Sequence, residues 1–108
     1  MDRNVMEEIK NEIAANKIVI YMKGTKEMPR CGFSAAAVEV LRTYGVPFKD
    51  INVLEDPEKW QAVKQYSDWP TIPQIYIGGE FVGGSDIVRE MHAKGELEPI
   101  VRKATGTS

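Results

Sequence analysis

Cysteine is almost missing from this chain: among 108 residues there is one, Cys31. A lone cysteine excludes an internal disulfide, and the chain reads as a protein of a reducing compartment. Histidine is equally scarce. One His (His92) and one Cys with no spacing pattern between them exclude a zinc site of the usual kind. No apolar run approaches the ~20 residues needed to cross a bilayer, so no membrane partner is expected. Basic residues (14) do not outnumber acidic ones (16), and they form no run or stripe. Nucleic acid is therefore not an expected partner. Internal repeats, linkers and low-complexity tracts are absent. Residues 1–17 lack the apolar centre of a secretory signal, and Asp2, Glu7, Glu8 and Glu12 make them too acidic for a transit peptide. The expected location is cytoplasmic.

What remains is a globular composition, 43% apolar and 28% charged, of a size that fits one domain over residues 1–108. Val5, Ile9 and Ile13 repeat at helical spacing over 4–15, and Asn4 with Glu7 resembles a capping pair. Residues 18–22, Ile-Val-Ile-Tyr-Met, predict a strand buried on both faces. A loop follows to Arg30, and a helix starts just after Cys31 and stops at Gly45. A strand is expected over 47–53. Asp56-Pro57 pairs an N-cap acid with proline at the first helical position, opening a helix to about Tyr66. Two prolines keep 69–73 from being helical. Gly78-Gly79 marks a hairpin between 74–77 and 80–82. A helix carrying Ile87 and Met91 on one face ends at Gly95. The last helix, near 96–103, has Leu97, Ile100 and Val101 as its stripe, and 105–108 are expected to fray. This order predicts an α/β fold: a four-stranded mixed β-sheet covered by helices on both faces.

Chemistry concentrates at Cys31. A cysteine is often just a small core hydrophobe. Here Pro29, Arg30 and Gly32 surround it and no apolar periodicity includes it. It sits where a loop meets a helix N-terminus, whose free N–H groups and dipole favour a thiolate, and Lys23 adds a nearby cation. That predicts a reactive or ligating thiol. Dithiol chemistry needs a second cysteine, but Ser34 holds the fourth position of what would be a C-x-x-C motif. Cluster ligation by one thiolate is also incomplete, because a 2Fe–2S cluster usually takes four. Either use requires a borrowed thiol.

Four blocks carry a resemblance that spans nearly the whole chain: Tyr-Met-Lys-Gly at 21–24, Cys-Gly-Phe-Ser at 31–34, Trp-Pro-Thr-Ile-Pro-Gln at 69–74 and Gly-Gly-Ser-Asp at 83–86. Together they are similar to the monothiol glutaredoxins of the Cys-Gly-Phe-Ser type. The resemblance implies a thioredoxin fold, glutathione binding, and a glutathione-ligated 2Fe–2S cluster shared with a second subunit, hence a homodimer when cluster-bound. It implies a role in iron–sulfur cluster assembly and iron homeostasis, with cluster donor and acceptor proteins as partners. The alternative it leaves is a monothiol oxidoreductase, at most a weak one, that reduces protein–glutathione mixed disulfides. A redox-inert adaptor, with an unperturbed Cys31, is the third.

By the same resemblance, Cys31 is nucleophile or cluster ligand, and Lys23 holds a glutathione carboxylate. Ile72, before a cis Pro73, pairs its backbone with glutathione as an added strand would. Gly83 and Gly84 allow close approach, and Ser85 and Asp86 receive the γ-glutamyl end at a helix start. Two departures stand out. Ser85 replaces a cysteine found in many members. Trp60 stands where members usually carry Arg, and an indole cannot replace a guanidinium fork. Either Lys59 or Lys64 compensates or glutathione binds more weakly, and Trp60 is expected as a core anchor of its helix before a ligand contact. His92 is expected on the surface at a helix C-terminus, and Tyr21, Phe48, Tyr76 and Phe81 in strands of the core.

Overall fold

The computed structural model describes residues 3–106. The two ends of the chain, residues 1–2 and 107–108, lie outside the described residues, and with them half of the segment 105–108 expected to fray. Thr105 does not fray but ends the last helix, its hydroxyl donating to the Val101 carbonyl at 2.8 Å. Helix α1 (Val5–Ala15) leads into strand β1 (Ile18–Met22), helix α2 (Gly32–Arg42) and strand β2 (Lys49–Asn52). A 3₁₀ turn (Val53–Glu55), helix α3 (Pro57–Ser67), the hairpin β3 (Gln74–Ile77) and β4 (Glu80–Gly83), and helices α4 (Ser85–Ala93) and α5 (Leu97–Thr105) complete the order.

The strands run β2-β1-β3-β4, with β1 parallel to β2 and antiparallel to β3, and β3 antiparallel to β4. A parallel pair requires a crossover, and α2 supplies it. All five residues of β1 are buried because β1 is central and covered on both faces. Its alternation divides the core. Ile18, Ile20 and Met22 join Ala37, Leu41, Val88, Leu97 and Val101 on the side of α2, α4 and α5. Val19 and Tyr21 join Ile9, Ile13, Val63 and Tyr76 on the side of α1 and α3. This is the four-stranded mixed sheet with helices on both faces expected of a thioredoxin fold.

Four sequence expectations shift in detail. The strand expected over 47–53 is confined to Lys49–Asn52. The Asn52 side chain accepts from the Leu54 N–H at 3.0 Å and turns the chain. Phe48 is buried but precedes the strand. In α4 it is Val88 that is fully buried, while Ile87 turns toward a cleft, 37% exposed. Ile100 is likewise exposed, so Leu97 and Val101 carry the stripe of α5.

An ion network locks α1 to α3. Lys59, 6% exposed, pairs with Glu12 and with Glu8 at 3.3 Å, and the Tyr21 hydroxyl donates to Glu12 at 2.8 Å. Burial works against the Lys59 charge, but Glu12 and Glu8 outweigh it and its pKa is raised. Arg3 bridges Glu8 and Asp56. Its hydrogen bonds hold the carboxyls of both at about 2. Groups with folded values below the unfolded ones stabilise the fold at pH above the ordinary carboxylate value near ~4. That contribution is lost as pH falls toward about 2. The thermal midpoint should therefore drop between pH 5 and pH 2.5, and Arg3→Gln should flatten part of the drop. Calorimetric melts across this range check it, and an Arg3→Gln profile parallel to wild type would contradict it.

Candidate functional site

Cys31 occupies the N-cap of α2 in extended backbone, φ −150° and ψ 137°, and is partly exposed. Its thiol lies below the ordinary cysteine range. The Ser34 N–H is the largest cause. Partial burial opposes it, and the Phe33 N–H, the Lys23 charge and the Ser34 hydroxyl add to it. This is thiolate stabilisation by a helix start. Ser34, in the place of a second cysteine, is itself fully buried. Its Oγ accepts from the Lys23 N–H at 3.1 Å, tying the end of β1 to the start of α2.

The loop between these elements is well braced. The Arg30 N–H donates to the Lys23 carbonyl at 2.9 Å, and Gly24 pairs with Pro29 as an isolated bridge. The Gly24 N–H donates to Asn52 Oδ1 and the Lys26 N–H to Asp50 Oδ2. Sequence reasoning missed both anchors on β2. An Asn and an Asp on a strand flanking an irregular loop were the available signal.

Opposite Cys31 lies the segment 69–73, with a cis peptide bond between Ile72 and Pro73. Among the described residues, the Ile72 backbone N–H and C=O make no hydrogen bond within the protein. Gln74, fully buried, holds this segment: its Nε2 donates to the carbonyls of Trp69 at 3.0 Å and Thr71 at 3.2 Å. Its Oε1 accepts from the Tyr76 hydroxyl, whose pKa burial pushes up to about 12. Sequence reasoning missed this role of Gln74. A buried amide in an otherwise apolar strand is its sequence signal.

The start of α4 closes the third side. A Cβ at Gly84 would lie 3.2 Å from the Pro73 carbonyl oxygen, so glycine lets α4 approach the cis proline. Ser85 follows, 5% exposed, and among the described residues its hydroxyl has no hydrogen-bond partner. A buried hydroxyl without a partner is costly unless something else completes it. Asp86 is exposed beside it.

These segments enclose one cleft of about 470 Å³, a size typical of small-molecule sites, lined by Lys23, Cys31, Ile72, Ser85 and Asp86. All five residues expected at a site are thus brought to one place. Trp60 and Lys64 line it as well. Trp60 packs against the core beneath α1 and α3, as expected of a core anchor, and is also a wall of the cleft. Lys59 is removed from consideration, because it is buried in the ion network. His92 is not a free surface residue: the Tyr44 hydroxyl lies 2.6 Å from its Nδ1. Among the described residues no three His, Cys, Asp or Glu side chains group to hold a metal ion. Cys31, the chain's one cysteine, is therefore the only thiol the protein itself brings to the cleft.

A thiolate-favouring, accessible cysteine at the head of α2, across a cleft from a cis proline, defines a thiol-dependent protein of the thioredoxin fold. The chain belongs to the glutaredoxin family, as a monothiol member of the Cys-Gly-Phe-Ser type. The glutaredoxin family model matches residues 18–82. Probable monothiol glutaredoxin 2 of Rickettsia typhi is 51% identical over 105 residues, 97% of this chain and 95% of that protein. The solution structure of reduced apo GrxS14 from poplar superposes with a TM-score of 0.83 at 44% identity, covering 94% of this chain and 93% of that one. A buckwheat glutaredoxin–glutathione complex shares the fold, with a TM-score of 0.84 at 21% identity over 96% of this chain and 93% of its own.

Proposed function

We propose that this protein binds glutathione in the cleft at Cys31 and, with it, takes up and passes on a 2Fe–2S cluster as cargo between two subunits. The observation that carries this reading is a thiolate-favouring Cys31 that opens onto a small-molecule cleft and has no second thiol within its own chain. Each subunit supplies one thiolate, and two glutathione molecules supply the other two of the four a cluster takes. The cleft suits the tripeptide. Ile72 offers an unpaired backbone N–H and C=O, Lys23 offers a cation, and the start of α4 offers N–H groups with the unpartnered Ser85 hydroxyl beside Asp86. The glutathione-bound buckwheat protein of the same fold supports the choice of ligand. A cytoplasmic location belongs to the same proposal.

The test is anaerobic reconstitution with ferrous iron, sulfide and glutathione. Visible charge-transfer absorbance should appear together with a doubling of mass in solution, and omission of glutathione should abolish both. A colourless monomer in the complete mixture would refute the cargo role.

The lowered Cys31 thiol also supports a second reading, glutathione-dependent disulfide reduction by one cysteine. The Cys31 thiolate attacks the glutathionyl sulfur of a mixed disulfide and the protein thiolate leaves. A second glutathione thiolate then attacks the Cys31–glutathione disulfide, restoring Cys31 and releasing glutathione disulfide. Turnover that is present without a cluster and absent in Cys31→Ser would establish this activity.

A further inference from the structure

Trp60 has two cations over its ring. Lys23 Nζ lies 5.3 Å from the ring centroid and Lys64 Nζ 5.9 Å from it, both inside the ~6 Å reach of a cation–π contact. The two lysines arrive from different elements. Lys64 follows Trp60 by four residues on α3, so both side chains share one face of the helix. Lys23 comes from the end of β1. Among the described residues neither ammonium is ion-paired, whereas Lys59, one residue before Trp60, is paired with Glu8 and Glu12. Two uncompensated ammonium groups gathered in one cleft repel each other, and a lysine stem left free would carry its charge out to water. The indole face is the feature in reach of both.

We propose that Trp60 is a positioning residue that holds Lys23 and Lys64 over its ring, so that this protein meets the ligand's carboxylate with two steered ammonium groups. The inference rests on the glutathione reading of the cleft for its ligand, but not for its geometry. Trp60 itself donates no hydrogen bond to such a carboxylate, and its effect passes through the lysines. Lys23 also contributes to the lowered Cys31 thiol. Holding Lys23 in the cleft therefore acts on the thiolate as well as on the ligand. A residue that served only core packing would not link these two properties.

Trp60→Phe keeps an aromatic face, and Trp60→Leu keeps apolar volume without one. By titration calorimetry, Trp60→Leu should weaken glutathione binding about fivefold, while Trp60→Phe stays within about twofold of wild type. The rate of Cys31 alkylation by iodoacetamide near neutral pH, measured without glutathione, should fall about twofold in Trp60→Leu and hold in Trp60→Phe. In unsubstituted protein, the Hε protons of Lys23 and Lys64 should resonate upfield from ring current. Ordinary shifts for both would overturn the proposal even if Trp60→Leu did not fold. Equal affinity and alkylation in wild type, Trp60→Phe and Trp60→Leu would overturn it too. If wild type binds no glutathione, the ligand reading fails, and the alkylation rates and proton shifts still decide the role of Trp60.

Discussion

Cys31→Ser should abolish cluster uptake, leaving reconstituted protein colourless and monomeric. The effect is expected to be complete because the chain has no other thiol. Cys31 is its only cysteine, and among the described residues no cluster of His, Cys, Asp or Glu stands in as a donor group. A serine hydroxyl stays protonated near neutral pH and is a hard, weak ligand for iron. Any one-thiol reductase turnover should fall to background as well. The fold should hardly notice, since Cys31 is partly exposed and belongs to neither core cluster. A thermal midpoint within about 2 °C of wild type is expected of such a substitution. Glutathione binding should survive within about threefold, because its proposed contacts lie on Lys23, Ile72 and the start of α4, outside the sulfur. Visible spectra after anaerobic reconstitution and calorimetric titration with glutathione separate these outcomes. Cluster absorbance retained in Cys31→Ser would assign the ligand elsewhere and remove the basis of the proposed function.

Much of the scaffold was legible because its signals are local. The length and β-branching of the apolar run Ile18–Met22 favour a strand buried on both faces, and it is the strand from which both core clusters grow. Asn4 accepts from the Glu7 N–H and Asp56 from the Lys59 N–H, as their positions before helices require. What escaped was set by tertiary partners. Asn52 serves two N–H groups, those of Gly24 and Leu54, and so ends β2 early. Only the folded loop brings Gly24 within its reach. Val88 takes the buried place expected of Ile87 for a similar reason. A helical stripe is about 100° wide, and the packing of α4 on Gly83 and Gly84 decides which neighbouring residue it favours.

The site divides along the same line. Helix starts and short motifs pointed to Cys31, Ser85 and Asp86, and the chain does bring them to one cleft. Lys59 and Lys64 lie five residues apart on one helix and were indistinguishable by type. The difference is angular: Lys59 faces α1 and its acids, whereas Lys64 lies over Trp60 on the cleft side. Trp60 was ambiguous because a large aromatic residue serves a core and a cleft wall equally well. Here it does both, and only its neighbours reveal the second role.

The second large effect is expected at Gly24, where the loop leaves β1. Its φ is +90°, outside the range of ordinary L residues. A Cβ there would lie 2.5 Å from the Met28 carbonyl oxygen, 2.6 Å from the Arg30 N and 2.8 Å from Arg30 Cγ. Two of those atoms are backbone, so no side-chain rotation relieves the clash. The bridge to Pro29 would open, and with it the hydrogen bond from the Arg30 N–H to the Lys23 carbonyl, one residue before Cys31. Gly24→Ala should therefore cost about 3 kcal/mol, a fall of roughly 15 °C in the thermal midpoint for a domain of this size. Gly45→Ala is the matching control. It also has positive φ, +65°, but its Cβ would meet nothing within 4 Å. It should cost only about 1 kcal/mol from backbone strain. The two variants should differ at the site as well. Cys31 alkylation near neutral pH should slow in Gly24→Ala, because Lys23 and the start of α2 lose their tie through the loop, and should be unchanged in Gly45→Ala. Equal melting of the two variants would show that the loop yields freely, and that the position of Cys31 is set by α2 alone.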